Sequence, residues 1–173
     1  MPSNFILREW KLTDIPSLTE NADNINVWNS VRDYFPHPYT QTDAEQFIHS
    51  VISKTKPTTD FAIEIDGKAV GGIGVVPKTD VERITVEIGC WLGEKYWNMG
   101  IMSNAVKQMS AYVFENFSVV KIYATVFEFN TASKRVLEKT GFTLEAILKK
   151  SAIKNGKIID LYYYSLIRQY IVK

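Results

Sequence analysis

The sequence predicts an α/β fold of the α+β kind, in which helices pack on one mixed sheet. Three observations lead there. Asp66-Gly67 stands between two β-rich runs, Phe61–Ile65 and Lys68–Val76, and an Asp-Gly pair suits the positive φ values of a two-residue hairpin turn. Met102, Ala105, Val106, Met109, Val113 and Phe117 recur at helical spacing on one face. The order of runs along the chain is strand, helices, three antiparallel strands, helix, strand, helix, two strands, which describes a mixed sheet with helices against it.

Taken in order, Phe5–Leu12 reads as the first strand, and Asp14 offers a helix cap before Ile15-Pro16-Ser17-Leu18. Helical spacing continues through Ala22, Ile25 and Trp28 to Arg32, with breaks near Asn24 and Asn26. Phe35-Pro36-His37-Pro38-Tyr39 is not regular helix, because each proline restricts the residue before it. Thr42-Asp43-Ala44-Glu45 matches a capping box, and a helix follows over about Gln41–Lys54. Arg83–Leu92 is a further strand, and Asn98 is placed to cap the long helix that carries the Met102–Phe117 face. Lys121–Phe127 is a strand, and Asn130–Thr140 a short helix stopped by Gly141. Phe142–Ile153 and Ile158–Ile167 close the chain as two strands around the turn Asn155-Gly156.

At 173 residues the chain fits one domain, residues 1–173, which buries roughly 70% of its unfolded surface on folding. Lys plus Arg number 20 against 19 Asp plus Glu, a net charge of +1 that argues against general nucleic-acid binding. The single cysteine, Cys90, forms no internal disulfide. Met1–Leu12 carries Asn4, Arg8, Glu9 and Lys11 and so lacks a signal-peptide core, and no run reaches the roughly 18 apolar residues of a membrane span. The expectation is a soluble cytoplasmic protein without a membrane or nucleic-acid partner.

The stretch that carries chemistry runs from Val86-Glu87-Ile88-Gly89-Cys90-Trp91-Leu92 through Tyr96-Trp97-Asn98-Met99-Gly100-Ile101-Met102 into the long helix. A strand that enters a helix through a glycine-bearing turn aims free N–H groups at the helix start, a geometry that favours a phosphate. One such glycine is weak evidence by itself. Thirty residues on, Asn130-Thr131-Ala132-Ser133 opens a second helix with one strand between, which brings two helix starts to one end of a sheet.

In these motifs the sequence resembles the GCN5-related N-acetyltransferases, in the branch of the ribosomal-protein N-terminal acetyltransferases. The matching pieces also include Leu7-Arg8, Phe35-Pro36-His37-Pro38-Tyr39-Thr40, Asn130–Phe142, and Asn155-Gly156 through Asp160 and Tyr162, in order over nearly the whole chain. The resemblance implies a mostly antiparallel sheet of six or seven strands with about four helices, split in a V between Glu87–Leu92 and Lys121–Phe127. It implies acetyl-CoA as co-substrate and an amine as acceptor, with the chain a monomer or homodimer. The pantetheine arm would pair near Cys90, Trp91 and Leu92. The pyrophosphate would rest on Trp97, Asn98, Met99, Gly100, Ile101 and Met102, and Asn130 would touch the pantetheine. Two positions depart from the family pattern: Met102 is larger than usual, and Leu137 stands where many relatives place a tyrosine acid. Ser133 matches a serine used instead in part of this branch.

An alkylammonium is neutral only about once in 2,500 molecules at pH 7, so attack on a thioester needs a base. Glu87 is the candidate base, against the alternative of a solvated strand residue. Ser133 is the candidate acid for the leaving thiolate, or only completes a helix cap. Trp28, His37 and Tyr39 are candidates to line the acceptor pocket, or pack the first helices. No His or Lys near Cys90 activates it as a nucleophile, and His37 and His49 show no metal-ligand spacing, so no metal is expected. The rival reading is a non-catalytic acyl-CoA-binding module of the same fold, favoured by Met102 and Leu137.

Overall fold

The computed structural model describes residues 4–169, so the two ends of the single domain read from the sequence lie outside them. β1 (Ile6–Glu9) leads to α1 (Ile15–Ala22) and α2 (Ile25–Ser30), and α3 (Gln41–Ile52) precedes β2 (Asp60–Ile65), β3 (Lys68–Pro77) and β4 (Thr85–Leu92). Then come α4 (Ile101–Asn116), β5 (Lys121–Phe127), α5 (Thr131–Lys139), β6 (Thr143–Lys154) and β7 (Lys157–Ile167). The hydrogen-bonded strand order is β1-β2-β3-β4-β5-β7-β6. β1/β2, β2/β3, β5/β7 and β6/β7 are antiparallel, and β4/β5 is parallel. The described residues thus form a mixed, mostly antiparallel sheet of seven strands with five α-helices, the fold that the resemblance implies. The break expected near Asn24 is a helix start: its side chain accepts from the N–H groups of Asn26 and Val27 and so begins α2 afresh.

The described residues fall into two compact units: the part up to Gly74 with Cys90–Ala105, and Val75–Gly89 with the part from Val106 onward. In the first unit Trp10, Leu18, Ala22, Tyr39, Ala44, Ile48, Ala62 and Ala69 form a buried cluster, with Trp10 edge-on to Phe47 at 5.3 Å. Two expected caps are corrected here. The α3 box is Thr40…Asp43, with Thr40 Oγ1 accepting the Asp43 N–H at 3.2 Å and Asp43 accepting the Thr40 N–H at 2.8 Å. The three-residue spacing is the expected one, shifted by two, because Asp43 serves where a Glu was looked for. Asp14 makes no side-chain cap to α1. Its buried carboxylate instead takes two 2.7 Å hydrogen bonds from the Arg8 guanidinium and one of 2.9 Å from the Lys11 N–H.

In the second unit Val106, Met109 and Val113 of α4 are buried at i, i+3 and i+7, together with Val86, Ile88, Ile122, Ala124 and Val126 of the strands. β5 alternates strictly: Ile122, Ala124 and Val126 are buried, while Lys121, Tyr123, Thr125 and Phe127 on the other face are half-buried. The parallel register pairs Thr85 with Lys121, Val86 with Ile122 and Glu87 with Tyr123. Glu87 and Tyr123 therefore stand side by side on the half-buried face. Both hairpin turns named from the sequence have positive φ at both positions: 48° and 78° at Asp66-Gly67, 51° and 72° at Asn155-Gly156.

Candidate active site

The approach to α4 is built within the first unit. Gly93 donates its N–H to the Val70 carbonyl at 2.8 Å, a 3-10 turn covers Glu94–Tyr96, and the indole Nε1–H of Trp97 donates to the Leu92 carbonyl at 2.7 Å. Asn98 and Gly100 follow with φ of 62° and 75°. The Asn104 N–H donates to the Gly100 carbonyl at 3.3 Å, so the helix starts from Gly100 and not from the Asn98 cap read from the sequence. The left-handed φ of Asn98 puts it inside the turn, two residues too early to cap. The first-turn N–H groups that follow Gly100 have no acceptor within the helix and sit at its positive dipole end. A Cβ at Gly100 would meet nothing within 4 Å, so this backbone is open to approach. Trp97 and Met99 are exposed, Met102 is half-buried, and the Ile101 side chain is buried, leaving its backbone as the part that faces a ligand. The turn therefore fits an anionic phosphate.

Cys90 and Trp91 precede this turn. The Cys90 residue surface is exposed, but protein packed around the thiol pushes its pKa up to about 12, so it stays a thiol and not a nucleophile. Trp91 packs edge-on to Phe35 at 5.5 Å. A Cβ at Gly71 would stand 2.5 Å from the Trp91 carbonyl oxygen, so β3 needs glycine to reach it, a requirement the sequence reading missed.

Glu87, in the second unit, is half-buried and hydrogen-bonded. Its Oε2 is 3.2 Å from Lys78 Nζ and accepts the Tyr123 hydroxyl at 3.3 Å, while Oε1 accepts the Thr125 hydroxyl at 3.2 Å. The Lys78 ammonium also stands 5.5 Å from the centroid of the Tyr123 ring, and Tyr123 stacks on Tyr163 at 4.8 Å and 15°. Hydrogen bonding to Tyr123, ahead of the charge and hydrogen bond of Glu87, holds the Lys78 pKa above its ordinary value against the cost of burial. Lys78, Tyr123 and Thr125 were missed from sequence. The i, i+2 spacing of Tyr123 and Thr125 on β5 is the signal that places both on the Glu87 face once the register is known.

In the same unit the Asn130 side chain accepts the Ser133 N–H at 3.1 Å and caps α5. Ser133 is half-buried, and among the described residues none hydrogen-bonds its hydroxyl. Leu137 is buried and offers no proton. Of the acceptor-pocket candidates, the Trp28 and His37 rings meet at 5.8 Å, tilted by 31°, with His37 Nδ1 3.6 Å from Asp23 Oδ1. Tyr39 lies in the first unit's buried cluster against Phe35, where burial pushes its phenol up to about 12. It packs the core there. Among the described residues no three His, Cys, Asp or Glu gather to hold a metal ion, and no helix is long and apolar enough to cross a membrane.

Comparisons with known proteins show the family and the fold. Residues 4–143 match the family described as the acetyltransferase (GNAT) domain. The chain is similar to the uncharacterized N-acetyltransferase YnaD of Bacillus subtilis, at 27% identity over 95% of this chain and 94% of that one. It is 33% identical to the uncharacterized N-acetyltransferase p20 of Bacillus licheniformis over 52% of this chain, and spans about half (51%) of that protein's length. The structure of Mycobacterium smegmatis RimJ in complex with CoA-disulfide superposes with a TM-score of 0.86 at 21% identity, covering 99% of this chain and 86% of that one, and shows the shared fold.

Proposed function

Since the chain belongs to the acetyltransferase (GNAT) family, we propose that it moves the acetyl group of acetyl-CoA onto a primary amine by direct attack in a ternary complex. The observation that carries the reading is the turn into α4, with its left-handed Gly100 and open approach, at a helix start whose first-turn N–H groups have no acceptor within the helix. A GNAT-family chain has use for such a phosphate seat, and the RimJ structure of like fold was determined with CoA-disulfide.

Acetyl-CoA supplies the thioester carbonyl that the amine attacks. The N–H groups from Asn98 to Met102 hold the pyrophosphate; the Trp97 N–H, expected from the sequence to join them, is taken by the Glu94 carbonyl at 3.0 Å, and Trp97 instead keeps the turn in shape through Leu92. Cys90, Trp91 and Leu92 line the pantetheine with their backbone. The Asn130 side-chain oxygen is engaged in capping, which leaves its amide N–H groups for the same arm. Glu87 takes the proton from the acceptor ammonium, directly or through water, and the Ser133 hydroxyl donates to the departing sulfur. The backbone N–H near Cys90 steadies the developing oxyanion.

A screen of amine acceptors, including peptide N-termini, polyamines and amino acids, with detection of free CoA tests the reading. Amine-dependent CoA release supports it. Acetyl-CoA binding with no turnover on any amine would favour the non-catalytic module, for which Leu137 in place of an acid speaks.

A further inference from the structure

We propose that Lys78 is a built-in competitor for the acceptor, its ammonium occupying the seat that Glu87, Tyr123 and Thr125 form for a primary alkylammonium. The inference rests on the N-acetyltransferase reading above and names the geometry of its acceptor site.

The seat has the parts that recognise such a cation. Glu87 supplies the counter-charge, 3.2 Å from Lys78 Nζ. Tyr123 offers its ring, 5.5 Å from the same nitrogen, and aims its hydroxyl at the same carboxylate oxygen. Thr125 holds the other oxygen at 3.2 Å, so β5 donates to both carboxylate oxygens independently of the lysine. Stacking on Tyr163 fixes the Tyr123 ring in turn. The arrangement thus stays assembled when the cation leaves.

Lys78 is suited to leave. Its backbone is anchored just past β3, where its N–H donates to the Thr85 carbonyl at 3.0 Å, while four rotatable methylenes separate that anchor from the ammonium. The Lys78 and Glu87 side chains keep 28% and 22% of their surface exposed, so solvent and solutes reach the pair. A partly exposed ion pair of this kind is held weakly. A tethered cation nevertheless competes at an effective concentration on the order of millimolar. An incoming amine must outbid it, which sets a threshold against weakly held monoamines.

The side chain of lysine is n-butylammonium on a tether, so n-butylamine is the probe. In Lys78→Ala and Lys78→Met the KM for n-butylamine, with saturating acetyl-CoA, falls about two- to sixfold relative to wild type. Lys78→Arg, which keeps a tethered cation, retains a wild-type or higher KM. Adding Glu87→Gln to Lys78→Met abolishes the gain. The same order holds for the melting shift produced by n-butylammonium chloride without acetyl-CoA, against sodium chloride at equal concentration. An unchanged or higher KM in both neutral variants, both folded by circular dichroism, overturns the proposal. Stabilisation of Lys78→Met by n-butylammonium without turnover of any amine would reject acetyl transfer and leave the seat standing.

Discussion

The indole N–H of Trp97 donates to the carbonyl of Leu92 at 2.7 Å, tying the end of β4 to the turn that starts α4. Trp97→Phe keeps the ring and deletes the donor. A net hydrogen bond contributes about 0.5–1.5 kcal/mol, so the acetyl-CoA dissociation constant should rise roughly two- to tenfold by calorimetric titration. Unchanged affinity would show that the turn keeps its shape without the indole.

Gly100 separates fold from binding. Its φ of 75° strains any L-residue, while a side chain there meets nothing within 4 Å. Gly100→Ala should therefore cost about 1–2 kcal/mol, a drop of roughly 2–8 °C in a thermal melt of a chain this size. Gly100→Val adds bulk where the pyrophosphate is proposed to lie, and its acetyl-CoA dissociation constant should rise at least about tenfold. A folded Val variant with wild-type affinity would place the pyrophosphate elsewhere.

Arg8 and Asp14 make a largely buried ion pair in the first unit. Asp14 is 3% exposed and receives two guanidinium bonds, and Arg8 Nε also donates to Glu64. Arg8→Met strands a buried carboxylate, which costs about 3–5 kcal/mol, or roughly 6–20 °C of melting temperature. Arg8→Met with Asp14→Asn should recover much of that loss. No recovery would assign the stability to packing of the Arg8 stem.

The strands and helices were legible in the sequence because each carries its own local signal. Asp66-Gly67 and Asn155-Gly156 mark hairpins by their backbone demands, and the α4 face shows in its spacing. The caps were harder. Thr40…Asp43 and Thr42…Glu45 both satisfy a three-residue pattern, and only the chain's path out of Pro38-Tyr39 decides between them. Asp14 looked like a cap because the sequence hides Arg8, which sits opposite it only after β1 and α1 fold together. The acidic candidate Glu87 was legible, but its partners were not. Lys78 and Glu87 are nine residues apart, and Tyr123 and Thr125 join them through the β4/β5 register, which no local pattern encodes.

Tyr39 gives the chain an alkaline limit. Burial raises its phenol to about 12 in the folded state, against about 10 in the unfolded chain. The stabilisation is therefore fully present below pH 10 and is lost as the pH rises from 10 through 12, where the unfolded chain releases a proton that the folded one keeps. At about 1.4 kcal/mol per unit the two units amount to at most about 3 kcal/mol. Denaturant midpoints measured from pH 9 to 12 should fall, and Tyr39→Phe should flatten the slope. An equal slope in Tyr39→Phe would trace the limit to other groups, Tyr164 first, whose phenol is also raised to about 12.

The mechanistic prediction concerns Glu87. Lys78, Tyr123 and Thr125 all bond its carboxylate, so it is oriented before any acceptor arrives. Glu87→Gln keeps the size and an oxygen for Tyr123 or Thr125, but loses proton acceptance and the charge that draws an ammonium. A general base contributes about 10²–10⁴-fold, so kcat should fall by that factor. Acetyl-CoA affinity should stay within about threefold, because the N–H groups of Asn98–Met102 and not Glu87 are proposed to hold the cofactor. Loss of the acidic limb of the pH–rate profile would mark proton transfer as the missing step. A rise in acceptor KM with kcat unchanged would instead make Glu87 a binding group alone. Retention of more than about a third of wild-type kcat at pH 7 would remove the base assignment and leave the proton to water or another side chain.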